Sequence, residues 1–295
     1  MVGELAALTT AVLWAISAVI YRQLGARVQP FNLNLYKGVI SVGFYIVTLA
    51  AVGQLTLDID RYAVVTLLIG GVIGIGIGDT AFFAALNRIG ERRTVLMSDT
   101  LSPAFATLLA LIALRELLSA QAFVGIVVTV GGVAWVVAER KTVNHVDRRG
   151  LRSGVLFGLL ASSCQAIGIV ISRAVLTQTD VTVLQSASLR LMGGLVIPLA
   201  WIAVQGQSYL PATVRSRRLW AVIVGTTLMS TYLGIMLQQL ALKHTEAGIV
   251  QTLIATAALF VLPLVALRGE RIGPRAVAGA IVAVIGIAIL FWAKR

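Results

Sequence analysis

Ten apolar stretches, each about as long as a bilayer crossing, determine what class of structure this chain can adopt. They run over 4–24, 33–53, 62–86, 94–114, 119–138, 153–175, 182–205, 218–241, 247–267 and 274–293. A helix needs about 20 such residues to span the hydrocarbon. The balance of the 295 residues agrees: 58% are hydrophobic and 12% charged, where an average soluble domain is about a quarter charged. Mean hydropathy is +0.94. The expected fold is therefore an all-α integral membrane protein with ten transmembrane helices.

The polar stretch ERKTVNHVDRRGLR interrupts these runs once, between the fifth and the sixth. It divides the chain into a first five-helix unit over 1–138, a linker over 139–152 and a second five-helix unit over 153–295. The two units repeat each other. A shift of 151 residues lays Gly3 on Gly154, Arg22 on Arg173 and Trp14 on Gln165, and a shift of 153 lays Lys37 on Arg190. A shift of 154 lays Gly71 on Gly225, Glu116 on Glu270, Gly125 on Gly279 and Gly132 on Gly286. Five is odd, so the second unit enters the membrane in the opposite sense. An inverted-topology repeat places a solute site at the interface of the halves.

Within the third run lies GGVIGIGIGDT, Gly70 to Thr80. Gly70, Gly74 and Gly78 recur at i, i+4 and i+8 and share one helix face, a pattern that lets two helices in lipid approach closely. Asp79 follows directly. An ionisable group inside a span is costly and marks a functional site by default, the alternative being interhelical glue. Asp99 lies in VLMSDTLSP, four residues before Pro103, where a kink is expected; a hydrated position near the interface is the competing reading. Asp79 and Asp99 are the candidates for proton coupling. Under the 154-residue shift they face Leu233 and Leu253, which confines such chemistry to the first half.

Lys37 and Arg190 hold matched places near the starts of the second and seventh helices. They read either as a cationic site for a substrate carboxylate or for Asp79, or as anchors snorkelling to a headgroup. Trp14, Ser17 and Gln165, with Tyr21 and Ser172 on similar faces, suit a cavity that orients a ligand through few polar contacts; core packing is the alternative for Trp14. Gln238 and Gln239 lie inside the eighth helix, and at least one is expected to face the interior. Trp14, Ser17, Lys37, Gln165, Arg190 and Gln238 are thus the candidate substrate-binding residues.

The net charge of +12 sits in short loops and not on a basic helix face, so it reads as membrane topology and not as nucleic-acid binding. Cys164, the one cysteine, excludes an internal disulfide and a cysteine-based metal site. His145 and His244 lie in connections, and no HExxH, CxxC or Walker lysine motif is present. No metal and no cofactor is expected. Glu116 and Glu270 read as residues that order helix ends. The chain opens MVGELAAL with no basic residue before Arg22, so the first run reads as a retained helix and not a cleaved signal.

In VLWAISAV of the first helix, in the basic residue of the second helix of each half, and in SPAFATLLALIALRELLSAQAFVGIVVTVGGV with its counterpart TAALFVLPLVALRGERIGPRAVAGAIVAVIGIAIL, the chain resembles ten-helix drug/metabolite transporters of the EamA type. The resemblance covers essentially the whole chain. It implies a central cavity shared by both halves and, usually, export of small metabolites or amphipathic compounds. The expected function is secondary transport of a small organic solute by alternating access, with or without proton coupling. A metabolite exchanger or facilitator is the alternative, and a membrane-embedded aspartyl protease using Asp79 and Asp99 is a distant one. The partners expected are a small-molecule substrate and the bilayer, with no nucleic acid, for a monomer or homodimer.

Orientation follows from the basic loops. Arg61, Arg115, Arg173, Lys243, Lys294 and Arg295 lie on the side of the termini, six in all. Sixteen lie opposite: Arg22, Arg27, Arg88, Arg92, Arg93, Arg140, Lys141, Arg148, Arg149, Arg152, Arg215, Arg217, Arg218, Arg268, Arg271 and Arg275. Basic short loops stay cytoplasmic, which puts both termini outside a cell membrane; the family resemblance implies both inside.

Overall fold

A computed structural model describes residues 1–24, 28, 30–55, 59–139, 148–205, 216–267 and 273–292, and these are helical nearly throughout. The helices are α1 (Val2–Leu24), α2 (Pro30–Ala51), α3 (Arg61–Gly71), α4 (Gly78–Leu114), α5 (Ala120–Glu139), α6 (Arg148–Gln178), α7 (Val183–Gln205), α8 (Arg217–Thr227), α9 (Gly234–His244), α10 (Ala247–Ala255), α11 (Ala257–Ala266) and α12 (Pro274–Trp292). A π-helical segment, Val72–Ile77, joins α3 to α4, and a second, Leu228–Leu233, joins α8 to α9. Among the described residues, nine helical stretches are long and apolar enough to cross a membrane, and a shorter apolar one covers Ala120–Val136. The expected all-α, ten-span architecture is present. Most of the linker, His145 and Glu270 lie outside what is described.

Polarity runs outward from a polar centre. Ile281, Val284 and Ile285 of α12 and Phe123, Val124 and Val127 of α5 are exposed, whereas Arg190, Gln238, Gln239, Ser186 and Thr227 are buried. An exposed apolar face of this extent suits lipid, and polar groups hidden within the bundle avoid it.

Close helix contacts come in pairs that exchange the halves. On α5 and α12, Gly125 packs on Leu290 while Gly279 packs on Val136, and Gly132 packs on Ala283 while Gly286 packs on Thr129. Each member maps to its partner under the 154-residue shift. Because the α12 number falls as the α5 number rises, the two helices run antiparallel, as an inverted repeat requires. Gly3 of α1 packs on Thr245, and its mate Gly154 of α6 packs on Ile89, which reproduces the 151-residue shift for the first helices.

The third and eighth spans correct the expected register. α3 and α8 both have 11 residues and both π segments have 6, so Arg61 matches Arg217 and Gly78 matches Gly234 under a shift of 156, not 154. Alignment on Gly71 and Gly225 fails because Gly225 makes no close contact, whereas Gly71 lies against α7. The counterpart of Asp79 is Ile235, that of Gly74 is Ser230, and that of Gln238 is Phe82. Asp79 still has an apolar mate, but the small-residue face is partly kept in the second half.

Pro103 lies inside α4 without ending it. The break comes at the matched place in the second half, where Thr256 separates α10 from α11 and bonds back to the Leu253 carbonyl.

Candidate functional site

The π segments shape the centre of the bundle. A π turn widens the helix and is frequent at functional sites. In the second half, the Ser230 carbonyl accepts the Trp14 indole N–H at 2.9 Å and the Tyr232 carbonyl accepts the Tyr45 hydroxyl at 2.7 Å. In the first half, glycine does the equivalent work by removing side chains. Gly70, Gly74 and Gly78 all face α6, at Ile171, Gly168 and Cys164. Gly71 and Gly76 form a second face against Arg190 and Ile197 of α7. Sequence periodicity identified the first face and missed the second.

Between the halves lies a cavity of about 430 Å³, within the range of small-molecule sites. Trp14, Ser17, Lys37 and Asp79 line it from the first half, and Gln165, Arg190 and Gln238 from the second. Asp99 is not among the lining residues; it is half-buried on α4, close to where Met97 meets Gly158 of α6. Ser172 donates to the Gly168 carbonyl within α6.

Each lining group is held by neighbours. The Lys37 ammonium sits 4.6 Å above the Tyr21 ring centre, a cation–π contact. The Tyr21 hydroxyl in turn meets Ser230 Oγ at 2.7 Å. Ser17 Oγ donates to the Leu13 carbonyl at 2.6 Å. Arg190 is 2% exposed and its Nη1 donates to Gln238 Oε1 at 3.2 Å. Gly74 and Gly168 make room for the other end of this guanidinium, since a Cβ on either would crowd Nη2. Lys37 and Arg190 are matched in sequence but unlike in setting: one is half-buried over an aromatic ring, the other enclosed.

Asp79 is where these influences meet. The Asn34 amide, Lys37 and Arg190 are the polar groups that act on its carboxylate, yet among the described residues no ion pair within 4.0 Å joins it to either cation. Two cations and one anion facing a single cavity leave it with an excess positive charge. Asn34, Ser230 and Thr231 also line it and were not identified from sequence. Asn34 was detectable, being one helical turn before Lys37; Ser230 becomes so only under the 156-residue register, as the mate of Gly74.

One end of the bundle has its own polar knot. Arg173 Nε lies 2.6 Å from Glu116 Oε1, and Arg173 Nη1 donates to the Leu242 and Lys243 carbonyls at 2.7 and 3.1 Å. Glu116 Oε2 accepts the Ala247 backbone N–H at 3.1 Å. This fits the expected role of Glu116 in ordering helix ends. Among the described residues, no cluster of histidine, cysteine, aspartate and glutamate has the makings of a metal site.

The chain is similar to known proteins over nearly all its length. The profile of the EamA-like transporter family matches residues 1–138 and 152–292. A protein of Archaeoglobus fulgidus described as an uncharacterized transporter is 25% identical over 291 residues, covering 98% of each chain. A protein of known crystal structure superposes with a TM-score of 0.83 at 17% identity, covering 99% of this chain and 98% of that one, which bears on the fold alone.

Proposed function

Since the chain belongs to the EamA-like transporter family, we propose that this multi-pass membrane protein is a secondary transporter that exports a small organic solute by alternating access. The cell membrane is its proposed location. The observation that carries this reading is the convergence of Lys37, Asp79 and Arg190, from α2, α4 and α7, on one cavity lined by both inverted halves. Rocking of the halves about such a site exposes it to either side in turn. Asp79 is the proton-coupling residue in this reading, because it faces the solute and lies within the field of two cations without being locked to either. Asp99, off the cavity, has a secondary part at most. The antiparallel packing of α5 on α12 supplies a fixed seam about which the inner helices move.

A facilitator or exchanger without proton coupling is the second reading, favoured if Asp79 serves only as counter-ion to Lys37. An aspartyl protease needs two carboxylates facing one another, and the placement of Asp99 away from the Asp79 cavity supports transport over it. A ligand-dependent thermal-shift screen, followed by flux of the hits into proteoliposomes, tests the proposal. Ligands that bind and are carried support it; binding without any flux overturns it.

A further inference from the structure

Two buried donors on residues that line the cavity have no acceptor. Arg190 Nε and Gln238 Nε2 are sealed from solvent and make no hydrogen bond, although both residues line the cavity and are joined to one another through Nη1 and Oε1. That bond also settles which end of the Gln238 amide is the oxygen, leaving the amide nitrogen as the free end. An unmade hydrogen bond at a buried donor is costly and calls for an explanation. Gln239 Nε2, one residue on, is also unpaired, but Gln239 is turned to Ser186 and does not line the cavity.

We propose that the solute is a monocarboxylate with an apolar body, its carboxylate bound by Arg190 Nε and Gln238 Nε2 once these side chains turn to the cavity. The proposal rests on the transport reading and narrows it to a substrate class. Two donors answer to the two oxygens of one carboxylate, and hydrogen bonds to an ionised acceptor are the strong ones. The charge agrees: Lys37 and Arg190 against Asp79 leave a single positive excess, which one carboxylate neutralises. A phosphate ester, at about −1.5 to −2 near neutrality, overshoots it. Among the remaining lining residues, Ile75, Phe82, Leu195, Pro198 and Ile235 are apolar and can receive a hydrocarbon or aromatic body.

Calorimetric titration of the full-length protein in detergent with phenylacetate, phenylacetamide and benzyl phosphate tests this. Phenylacetate is expected to bind at least tenfold tighter than either of the others. Gln238→Glu keeps the acceptor for Arg190 and exchanges the free donor for an acceptor; it is expected to weaken phenylacetate at least tenfold and remove its advantage over phenylacetamide. Arg190→Lys is expected to act likewise, and if it does not fold, Gln238→Glu decides. Equal binding of the acid and its amide, tighter binding of the phosphate, no binding of phenylacetate, or an unaffected Gln238→Glu variant would each overturn the proposal. Carboxylate preference without flux keeps this subsite and removes the transport reading; flux of other solutes without carboxylate preference does the reverse.

Discussion

Gly74 of the first π segment faces Gly168 of α6 so closely that a Cβ on either would meet the other's Cα and crowd the Arg190 guanidinium. The pair therefore sets both a helix–helix distance and the position of a charged group in the cavity. Gly74→Leu is expected to reduce the yield of stable protein, because overpacking at a backbone contact costs about 1–3 kcal/mol or more. Gly131→Ala is the control, since nothing lies within 4 Å of a Cβ there; it is expected to stabilise α5 by roughly 0.5–1 kcal/mol. Thermal unfolding in detergent with size-exclusion yield reads both, and an undiminished yield for Gly74→Leu would refute the close contact.

The Glu116–Arg173 pair joins the end of α4 to α6 and to the connection between α9 and α10, with both side chains largely enclosed (12% and 15% exposed). Hydrogen bonds to charged groups contribute about 1.5–3 kcal/mol. Glu116→Gln and Arg173→Gln are each expected to lower Tm. Because they share one interaction, the double variant should lose less than the sum of the two. Additive losses in the double-mutant cycle would show that the contact carries no coupling energy.

Lys37 projects into the cavity above Tyr21. Lys37→Gln is expected to weaken anionic solutes by about tenfold while leaving cationic ones unchanged or tighter, a difference of about 1.4 kcal/mol (RT ln 10). Competition binding with matched anionic and cationic ligands measures it. Equal losses for both would make Lys37 a structural anchor.

From the surplus of basic residues opposite the termini, we propose that both termini lie outside. Cys164 is buried, so a Cys164→Ala background suits single-cysteine labelling. A cysteine at Asn144, in the linker outside the described residues, is expected to resist an impermeant thiol reagent in intact cells and to react after lysis. Reaction from outside would reverse the orientation.

Much of this architecture was legible because lipid imposes one strong rule: apolar runs of fixed length. The inverted repeat was legible because glycines at close helix crossings, such as Gly125 and Gly279, leave a register that survives divergence. The register of the third and eighth spans was not, since a π segment moves side chains without changing composition; Gly71 and Gly225 aligned by identity but do unlike work. Lys37, Asp79 and Arg190 stood out as charges inside apolar runs. Asn34 and Ser230 did not, because small polar residues are common in spans and only tertiary contacts separate a lining residue from a packing one. The same limit applied to Asp99, as conspicuous in the sequence as Asp79 yet located off the cavity.

The most direct test of the account is solute flux in proteoliposomes under an imposed pH gradient, comparing wild type, Asp79→Asn and Asp99→Asn for a ligand found by thermal shift. Wild type and Asp99→Asn are expected to carry the solute several-fold faster with the gradient than without it. Asp79→Asn should still bind the solute but show no response to the gradient. A response in Asp79→Asn equal to that of wild type would contradict the account.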